Sequence, residues 1–231
     1  MTGTLYSVGI GPGDPELMTL KAVRLLQETE IVAIPQGDKD VLTAKSIVEQ
    51  LVDLQGKEQL LIYMPMTKDK EKMEKAHTEG AAAIIDRLKS GKNVVFITLG
   101  DPSIYATCIY VHKKVLAAGY KAEMVPGVPS FCAVAAKLNV SLCEKAEPLM
   151  IIPGSYKEAE SFFSIPGNKV LMKSASQLAS VCSALKKHKL LKHAAMVERC
   201  GLPGEKVYKD LAHVDPKKSY FSIILVKEGD L

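Results

Sequence analysis

The chain has 231 residues, which is enough for one or two compact units. Apolar residues make up 47% of it and charged residues 24%, as in ordinary folded proteins, and the formal net charge is only +4. No stretch reaches the roughly 18 apolar residues of a membrane helix, and the start of the chain lacks the pattern of a signal peptide. We therefore expect a cytoplasmic protein that does not enter a membrane.

Cysteines and basic residues exclude further classes of protein. The five cysteines form no Cys-x-x-Cys pair, so neither a zinc site nor a disulfide framework is indicated. The densest basic stretch, at 186–193, is interrupted by leucines at helical spacing, which is typical of the solvated face of a helix. The chain has no tryptophan and few other aromatic residues on which bases could stack. We expect no nucleic-acid partner.

The first half of the chain alternates strands with helices. The pattern predicts strands at 5–10, 31–35, 60–64 and 93–99, and helices at 20–29, 42–51 and 68–90. Thr19 is a candidate cap for the first helix, and Gly91 closes the third. This alternation is typical of an α/β protein with a mostly parallel sheet.

The second half repeats the same kinds of element without repeating the sequence. Strands are predicted at 124–125, 149–152, 169–172, 194–197 and 220–227, and helices at 131–138 and 177–187. The segment 117–121 breaks a helix at Ala118-Gly119-Tyr120. We place the domain junction there, which gives two α/β domains at 1–117 and 121–231.

A glycine-rich loop, Gly9 to Pro15, follows the first strand. Its alternating glycines allow close approach to the backbone, while its prolines stiffen the turn. The loop does not match the dinucleotide fingerprint, because Asp14 stands where a third glycine is needed, and the Gly-Lys-Ser/Thr ending of a phosphate-binding loop is absent. Both nucleotide interpretations are weak.

Two more loops rich in glycine and proline, at 100–102 and 126–130, also follow predicted strands. Because ligands bind where the carboxyl ends of parallel strands meet, we expect the three loops to converge on a ligand site. Asp101 is a candidate acceptor for a ribose, an amine or a cation. Asp101, Ser130 and Asp14 each have a simpler interpretation as a cap, with Asp101 capping a helix that begins at Pro102.

Three segments in this order resemble the tetrapyrrole methylases, which use S-adenosylmethionine in the cobalamin and sirohaem pathways. They are Val-Gly-Ile-Gly-Pro-Gly-Asp-Pro-Glu-Leu-Met-Thr near the start, Leu-Gly-Asp-Pro-Ser-Ile-Tyr near position 100 and Val-Pro-Gly-Val-Pro-Ser near 126. The resemblance extends over the chain, including Met172 and the turn at 198–201. Within the family, the first two segments look most like the branch that methylates C-20 of precorrin-2 or its cobalt form.

The resemblance implies two α/β domains with a cleft between them for cofactor and substrate, S-adenosylmethionine as cofactor, and a homodimer. Carried over position by position, the family's cofactor contacts fall on Pro12, Leu99, Gly100, Asp101, Ile104, Pro129, Ser130 and Met172, with Gly201 a weaker transfer. Two positions depart from the family's pattern. Pro129 replaces an expected hydroxyl, and Pro35 occupies the place of an aspartate in relatives that methylate uroporphyrinogen.

The expected substrate is a tetrapyrrole, possibly cobalt-bound, and any cobalt would arrive inside it. The five histidines are scattered without a metal-binding spacing, so we expect no metal ligands in the protein. Methyl transfer to an electron-rich ring carbon needs positioning and exclusion of water more than a strong base. The candidate catalytic residues are Asp101, which would orient cofactor or substrate, and Tyr105. Lysines or arginines should bind the substrate's carboxylates.

Other functions stay open at this point. Within the family, the chain could act on metal-free precorrin-2 or on another ring position, or it could be a relative that modifies a protein histidine derivative or ribosomal RNA. A non-catalytic nucleotide-binding module is an alternative of a different class.

Overall fold

The computed structural model describes residues 1–38, 42–174, 177–212, 214 and 221–229, without the side chain of Lys157. The chain divides into two compact units, Met1–Pro129 and Ser130–Leu231. Each unit is built on its own five-stranded sheet. Two α/β units are therefore confirmed as the fold class.

Unit 1 is a parallel sheet with helices between its strands. Its elements are β1 (Thr4–Gly9), a 3-10 helix (Pro15–Leu17), α1 (Leu20–Glu28), β2 (Ile31–Gln36), α2 (Thr43–Val48), β3 (Glu58–Tyr63), α3 (Lys70–Lys89), β4 (Val94–Thr98), α4 (Cys108–Ala117) and β5 (Lys121–Val125). The strand order is β3-β2-β4-β1-β5, and every pairing is parallel.

Local sequence explains where these elements begin and end. The Thr19 hydroxyl accepts a hydrogen bond from the Ala22 amide at 3.2 Å, as the predicted cap of α1 requires. Asp69 caps α3 in the same way. Strand β4 is buried at all five positions, as expected for a central strand covered on both faces, and α3 and α4 pack together over one of those faces.

Unit 2 has a mixed sheet. Its elements are α5 (Ser130–Leu138), β6 (Leu149–Pro153), a 3-10 helix (Lys157–Phe162), β7 (Asn168–Met172), α6 (Leu178–Lys187), a 3-10 helix (Leu191–His193), β8 (Ala194–Glu198), β9 (Lys206–Tyr208) and β10 (Ser222–Val226). The strand order is β6-β7-β10-β8-β9. Strands β6 and β7 pair in parallel, while the other three pairings are antiparallel.

Three predictions about the elements need correction. Strand β5 pairs with β1, so the segment after the predicted junction at 117–121 belongs to unit 1, and the division falls between Pro129 and Ser130. The mostly parallel pattern holds in unit 1 but not in unit 2, where the turn between β8 and β9 is too short for a crossover helix. Strand β9 was not predicted, because only three residues form it.

Two predictions lie partly outside the described residues. His213 is one of the scattered histidines of the sequence, and Tyr220 was the predicted start of the last strand; neither is described. Among the helices that are described, none combines the length and the apolar character needed to cross a membrane.

Candidate functional site

In the sheet of unit 1 (sheet 1), the chain changes direction at the carboxyl ends of β1 and β4. These strands are neighbours, but α1 leads from β1 to β2 on one side, whereas α4 leads from β4 to β5 on the other. In parallel α/β sheets, ligands bind at such a switch point because the two following loops diverge and leave a crevice. The first two glycine loops of the sequence lie at this edge.

The three glycine loops converge, as the sequence predicted, and they do so through direct backbone contact. The Gly100 amide donates to the Gly11 carbonyl at 2.7 Å, and the Gly11 amide donates to the Gly100 carbonyl at 3.3 Å. A Cβ on Gly9 would lie 2.5 Å from the Gly100 oxygen and 2.7 Å from the Gly127 nitrogen. No side chain fits there, so glycine is required by packing between the loops.

Asp101 joins the second loop to the third. Its Oδ1 accepts from the Ser103 amide at 2.8 Å and from the Ser103 hydroxyl at 2.5 Å, and its Oδ2 accepts from the Gly127 amide at 2.9 Å. The residue is only 8% exposed. Both carboxylate oxygens therefore hold loop atoms, so Asp101 fixes the position of the Gly127 loop against the Gly100 loop.

The simpler interpretation as a helix cap holds for Asp14 but not for Asp101. Asp101 caps no helix at Pro102, because the segment after it forms turns and α4 begins only at Cys108. Asp14 does cap, since its carboxylate accepts from the Glu16 amide at the start of the first 3-10 helix. Ser130 is the first residue of α5.

The remaining predicted residues of unit 1 lie around these loops. Pro12 is buried within the first loop. Leu99 and Ile104 are partly buried on either side of Asp101, and the Ile104 amide donates to the Asp101 carbonyl. Tyr105 is 42% exposed and has a left-handed backbone with φ of 49°. The structure thus places Gly100, Asp101, Ile104 and Tyr105 on one loop at the switch point.

Three predicted residues lie at or beyond the division of the chain. Pro129 is the last residue of unit 1, and Ser130 is the first of unit 2. Met172 ends β7, where its carbonyl accepts from the Gly154 amide at 2.7 Å. Gly201, the weaker transfer, has φ of 73° in the turn after β8. Met172 and Gly201 thus lie at the ends of strands in unit 2.

A buried polar layer beneath the loops was not found from the sequence. The Ser7 hydroxyl and His112 Nδ1 lie 2.9 Å apart, and both residues are buried. Burial lowers the pKa of His112. Burial also raises the pKa of the Cys108 thiol to about 11, despite an opposing hydrogen bond with Thr98, so this cysteine is no thiolate nucleophile at neutral pH. The sequence signal for this layer is the presence of small polar residues within apolar strands.

Sequence reasoning also missed an exposed carboxylate beyond β2. Asp38 accepts from the Tyr63 hydroxyl at 2.6 Å and from the Met66 amide at 3.1 Å. The hydrogen bond from Tyr63 is the main cause that lowers the pKa of Asp38. Asp38 follows the same strand as Pro35, at the carboxyl end of β2.

Apolar side chains flank Asp101 on the second loop. The side chains of Leu99 and Ile104 are apolar and partly buried, so an adenine ring could pack on them. An adenosine-containing ligand such as S-adenosylmethionine is compatible with such a surface. Among the side chains that the structure describes, no group of three His, Cys, Asp or Glu could hold a metal ion.

Fold and site together define an α/β protein of two sheets whose ligand loops are glycine-rich and lack a nucleotide-phosphate motif. Residues 4–214 match the family described as Tetrapyrrole (Corrin/Porphyrin) Methylases. The chain is 35% identical to a cobalt-precorrin-2 C(20)-methyltransferase of Salmonella typhimurium over 234 residues, which covers 99% of this chain and 98% of the relative. The chain belongs to the tetrapyrrole methylases.

A second relative agrees with this assignment, and two solved structures share the fold. A precorrin-2 C(20)-methyltransferase of Sinorhizobium is 28% identical, with 97% of this chain and 95% of the relative covered. The fold matches a cobalt precorrin-4 methyltransferase with a TM-score of 0.75 at 22% identity, covering 97% of this chain and 94% of that one. It also matches a uroporphyrin-III C-methyl transferase of Thermus thermophilus complexed with S-adenosyl homocysteine, with a TM-score of 0.70 at 23% identity and 98% of both chains covered.

Proposed function

We propose that this chain is an S-adenosylmethionine-dependent C-methyltransferase that methylates C-20 of cobalt-precorrin-2 or cobalt-factor II in cobalamin biosynthesis. The observation that carries the proposal is the 35% identity to a cobalt-precorrin-2 C(20)-methyltransferase across nearly the whole of both chains. The convergence of three glycine loops at the switch point of sheet 1 supplies a ligand site of the kind that this reaction needs.

The cofactor supplies an electrophilic methyl group on a sulfonium, and the protein's task is to hold the two reactants in line. A well-oriented pair of reactants can lower a barrier by roughly 7–11 kcal/mol, and exclusion of water protects both of them. The ring carbon is already electron-rich. The chemistry therefore does not require the base that Pro35 replaces in this sequence.

We propose that the cofactor contacts Pro12, Leu99, Gly100, Asp101 and Ile104 in unit 1, and Pro129, Ser130 and Met172 at or beyond the division of the chain. The rigid backbone contact between Gly11 and Gly100 supports the unit 1 part of this set, because it fixes the loop carbonyls before any ligand binds. Fixed dipoles cost no reorganisation when charge must be stabilised.

Among the candidate catalytic residues, the contacts of Asp101 favour an indirect role. Its carboxylate holds the Gly127 amide and Ser103, so it positions the loops that contact the cofactor. Tyr105 is a better candidate for direct contact with substrate, because its exposed side chain stands on a strained left-handed backbone, which costs about 1–3 kcal/mol and concentrates at functional sites.

The cofactor part of the proposal can be tested by thermal unfolding. At about 100 times its dissociation constant, S-adenosylhomocysteine should stabilise the protein by about 2.7 kcal/mol. ATP and NAD serve as matched controls and should give no shift. A shift with ATP or NAD alone would favour the nucleotide-binding module instead.

The substrate part needs an activity measurement. We expect methylation of cobalt-factor II in the presence of S-adenosylmethionine, with the new methyl group assigned to C-20 by mass and ring-position analysis. Parallel incubation with precorrin-2, without oxygen, tests the metal-free alternative, which the Sinorhizobium relative represents at lower identity. Failure with both substrates, together with strongly salt-dependent RNA binding, would point to an RNA-modifying relative.

A homodimer and a cytoplasmic location are further parts of the proposal, and both rest on the family resemblance and the sequence. Light scattering of the purified full chain at several concentrations would test the dimer. A mass of one chain at all concentrations would contradict it.

A further inference from the structure

Two large side chains of apolar character are exposed at the carboxyl end of β3. Tyr63, the last residue of that strand, is 38% exposed, and Met66, in the loop that follows, is 66% exposed. Isolated apolar residues are normal on a protein surface and need no explanation. These two are different, because one polar side chain holds both of them.

Asp38 is the side chain that holds them. Its Oδ1 accepts from the Tyr63 hydroxyl at 2.6 Å, and its Oδ2 accepts from the Met66 amide at 3.1 Å. The ammonium of Lys72 lies 5.8 Å from the centre of the Tyr63 ring, within the range of a cation–π contact. A single carboxylate thus fixes the ring of Tyr63 and the backbone of Met66.

Such fixed positions suit a surface that binds a ligand. Holding an exposed side chain in one place costs conformational entropy and buries nothing in the core. A ligand that packs on side chains already in place binds more tightly, because it does not have to order them. The contacts of Asp38 are therefore typical of a preorganised contact surface.

The register of the strands places this surface at the ligand edge of sheet 1. Tyr63 pairs with Gln36 of β2, and Ala33 of β2 pairs with Phe96 of β4. Continued by three residues, the second pairing sets Gln36 level with Leu99, where the second glycine loop begins. Because adjacent strands lie about 4.8 Å apart, Tyr63 lies about 10 Å along the sheet edge from that loop.

A tetrapyrrole has the size and the character to reach this surface from the glycine loops. Its macrocycle is flat with two apolar faces, and with its peripheral carboxylates it spans more than two strand spacings. An aromatic ring stacks on such a face, and the flexible thioether of methionine adapts to it. A macrocycle beside a cofactor at the loops would extend over the end of β2 towards β3.

We propose that Tyr63 and Met66 contact a face of the tetrapyrrole macrocycle and that Asp38 is the positioning residue for both. This inference rests on the proposed function and gives its substrate a contact surface on unit 1. All three residues belong to that unit.

Steady-state kinetics test the contact. Met66→Ala and Tyr63→Ala each remove one side chain, and Leu116→Ala is the matched control. Leu116 is 47% exposed near the end of α4, which leads away from the carboxyl edge of sheet 1 to the start of β5 at the opposite edge. The measurements are KM and kcat for cobalt-factor II at saturating S-adenosylmethionine, the Kd of S-adenosylhomocysteine, and Tm.

We expect KM for cobalt-factor II to rise about 5- to 30-fold in Met66→Ala and about 10- to 100-fold in Tyr63→Ala, because the apolar contact is lost. Tyr63→Phe keeps the ring and should raise KM less than Tyr63→Ala does. The Kd of S-adenosylhomocysteine should change by less than about twofold, as in Leu116→Ala, because the changed residues lie outside the glycine loops.

The role of Asp38 is tested by comparing KM with kcat. Asp38→Ala should raise KM about 3- to 10-fold and leave kcat nearly unchanged, because the substrate must then order both side chains. Asp38→Asn keeps one acceptor and should recover part of the loss. A fall in kcat at unchanged KM would instead place Asp38 in the chemical step and contradict its positioning role.

Methionine oxidation gives a readout that does not depend on turnover. Peroxide converts exposed methionines to sulfoxides, and peptide mass spectrometry measures each position. In the Leu116→Met protein, the introduced methionine serves as an internal reference at the opposite edge of sheet 1. Saturating cobalt-factor II with S-adenosylhomocysteine should slow the oxidation of Met66 at least about threefold relative to that reference.

Several results would overturn the inference. An unchanged KM in Met66→Ala or in Tyr63→Ala, or an equal rise in Leu116→Ala, would remove this surface from the substrate site. If Tyr63→Ala fails to fold, the oxidation of Met66 decides, and no protection by a substrate that the wild type methylates would contradict the contact. A wild-type protein that methylates neither cobalt-factor II nor precorrin-2 would instead contradict the proposed function itself.

Discussion

The two units hold the ends of their strands in different ways. In unit 1, the loops after β1, β4 and β5 contact each other through backbone atoms, and Gly9 and Gly127 leave no room for side chains. In unit 2, the ends of β6 and β7 contact each other through a side chain, since Gly154 faces the Ser174 hydroxyl. At Gly9 and Gly127 of unit 1 the closest contacts are backbone atoms, whereas at Gly154 of unit 2 the closest contact is a side-chain hydroxyl, beside a backbone hydrogen bond to Met172.

This difference suggests a division of tasks. Backbone groups locked by glycine contacts would form a rigid cradle for the proposed cofactor. A side chain at a strand end of unit 2, such as Met172, can be replaced without disturbing the contacts between the unit 1 loops. We therefore expect substitutions in the unit 1 loops to lower stability and cofactor binding together. Substitutions at the strand ends of unit 2 should change one of these two quantities without the other.

Gly127→Ala should have the largest effect. Its Cβ would lie 2.2 Å from the Gly100 oxygen and 2.9 Å from the Gly9 Cα, and backbone atoms cannot move aside without disturbing both loops. We expect a loss of about 3 kcal/mol in the free energy of unfolding, a fall in Tm of about 10 °C and weaker S-adenosylhomocysteine binding. Gly37→Ala, where no atom lies within 4 Å, is the control for thermal unfolding.

A Gly127→Ala protein as stable as the wild type would mean that the loops move apart easily. The interpretation of the unit 1 loops as a rigid cradle would then be wrong.

Asp101→Asn should have the next largest effect. The amide can still accept from Ser103, but its NH2 group would face the Gly127 amide, so a hydrogen bond is replaced by two opposed donors. We expect a loss of about 2 kcal/mol, which should weaken S-adenosylhomocysteine binding and reduce turnover at least 10-fold. Thermal unfolding with and without S-adenosylhomocysteine measures the binding, and methylation assays measure the turnover.

Asp14→Asn is the matched control, because Asn caps as well as Asp and the only change is at the first 3-10 helix. Near-normal turnover in Asp101→Asn would show that the link between the second and third loops has no part in function.

Gly127 and Asp101 also show how much the sequence alone can predict. The glycine loops can be predicted, because alternate glycines and prolines after an apolar strand are a local pattern. The hydrogen bond between Asp101 and Gly127 cannot be predicted in this way. The two residues are distant in the chain, and the contact exists only after β1, β4 and β5 have paired.

The same limit explains the other errors and omissions. The pairing of β5 with β1 moved the domain junction, and such long-range pairing leaves no local signal. The strained backbone of Tyr105 is likewise invisible in sequence, because tyrosine carries no preference for a left-handed conformation. Element type was predicted well where apolar runs were long, as in β4 and α3, and failed for the three-residue β9.

Gly154→Ala tests the contrasting half of the comparison and should have a smaller effect than Gly127→Ala. Its Cβ would meet the Ser174 hydroxyl at 2.2 Å, but a hydroxyl can rotate away where backbone cannot. We expect a loss of about 1 kcal/mol in the free energy of unfolding. The double variant Gly154→Ala/Ser174→Ala should recover part of this loss, as double-mutant analysis would show. Equal losses in both single glycine variants would abolish the distinction between the units.

The smallest effect we expect is a pH dependence that belongs to unit 1, where His112 lies buried against Ser7. Burial lowers the pKa of His112, so the folded protein binds a proton less readily than the unfolded chain, in which the pKa is about 6.5. The unfolded state therefore gains protons first as the pH falls below about 7, and stability decreases. His77, whose pKa is also lowered by burial, acts in the same direction.

His112→Asn removes this titration while keeping a polar atom near the Ser7 hydroxyl. In urea unfolding at a series of pH values, the variant should lose stability less steeply than the wild type below about pH 6.5, by at most about 1.4 kcal/mol per pH unit. Above about pH 7.5 the two curves should run parallel, because the imidazole is neutral in both states. Parallel curves over the whole range would mean that His112 titrates alike in the folded and unfolded chain, and the polar layer beneath the loops would then add no pH dependence to unit 1.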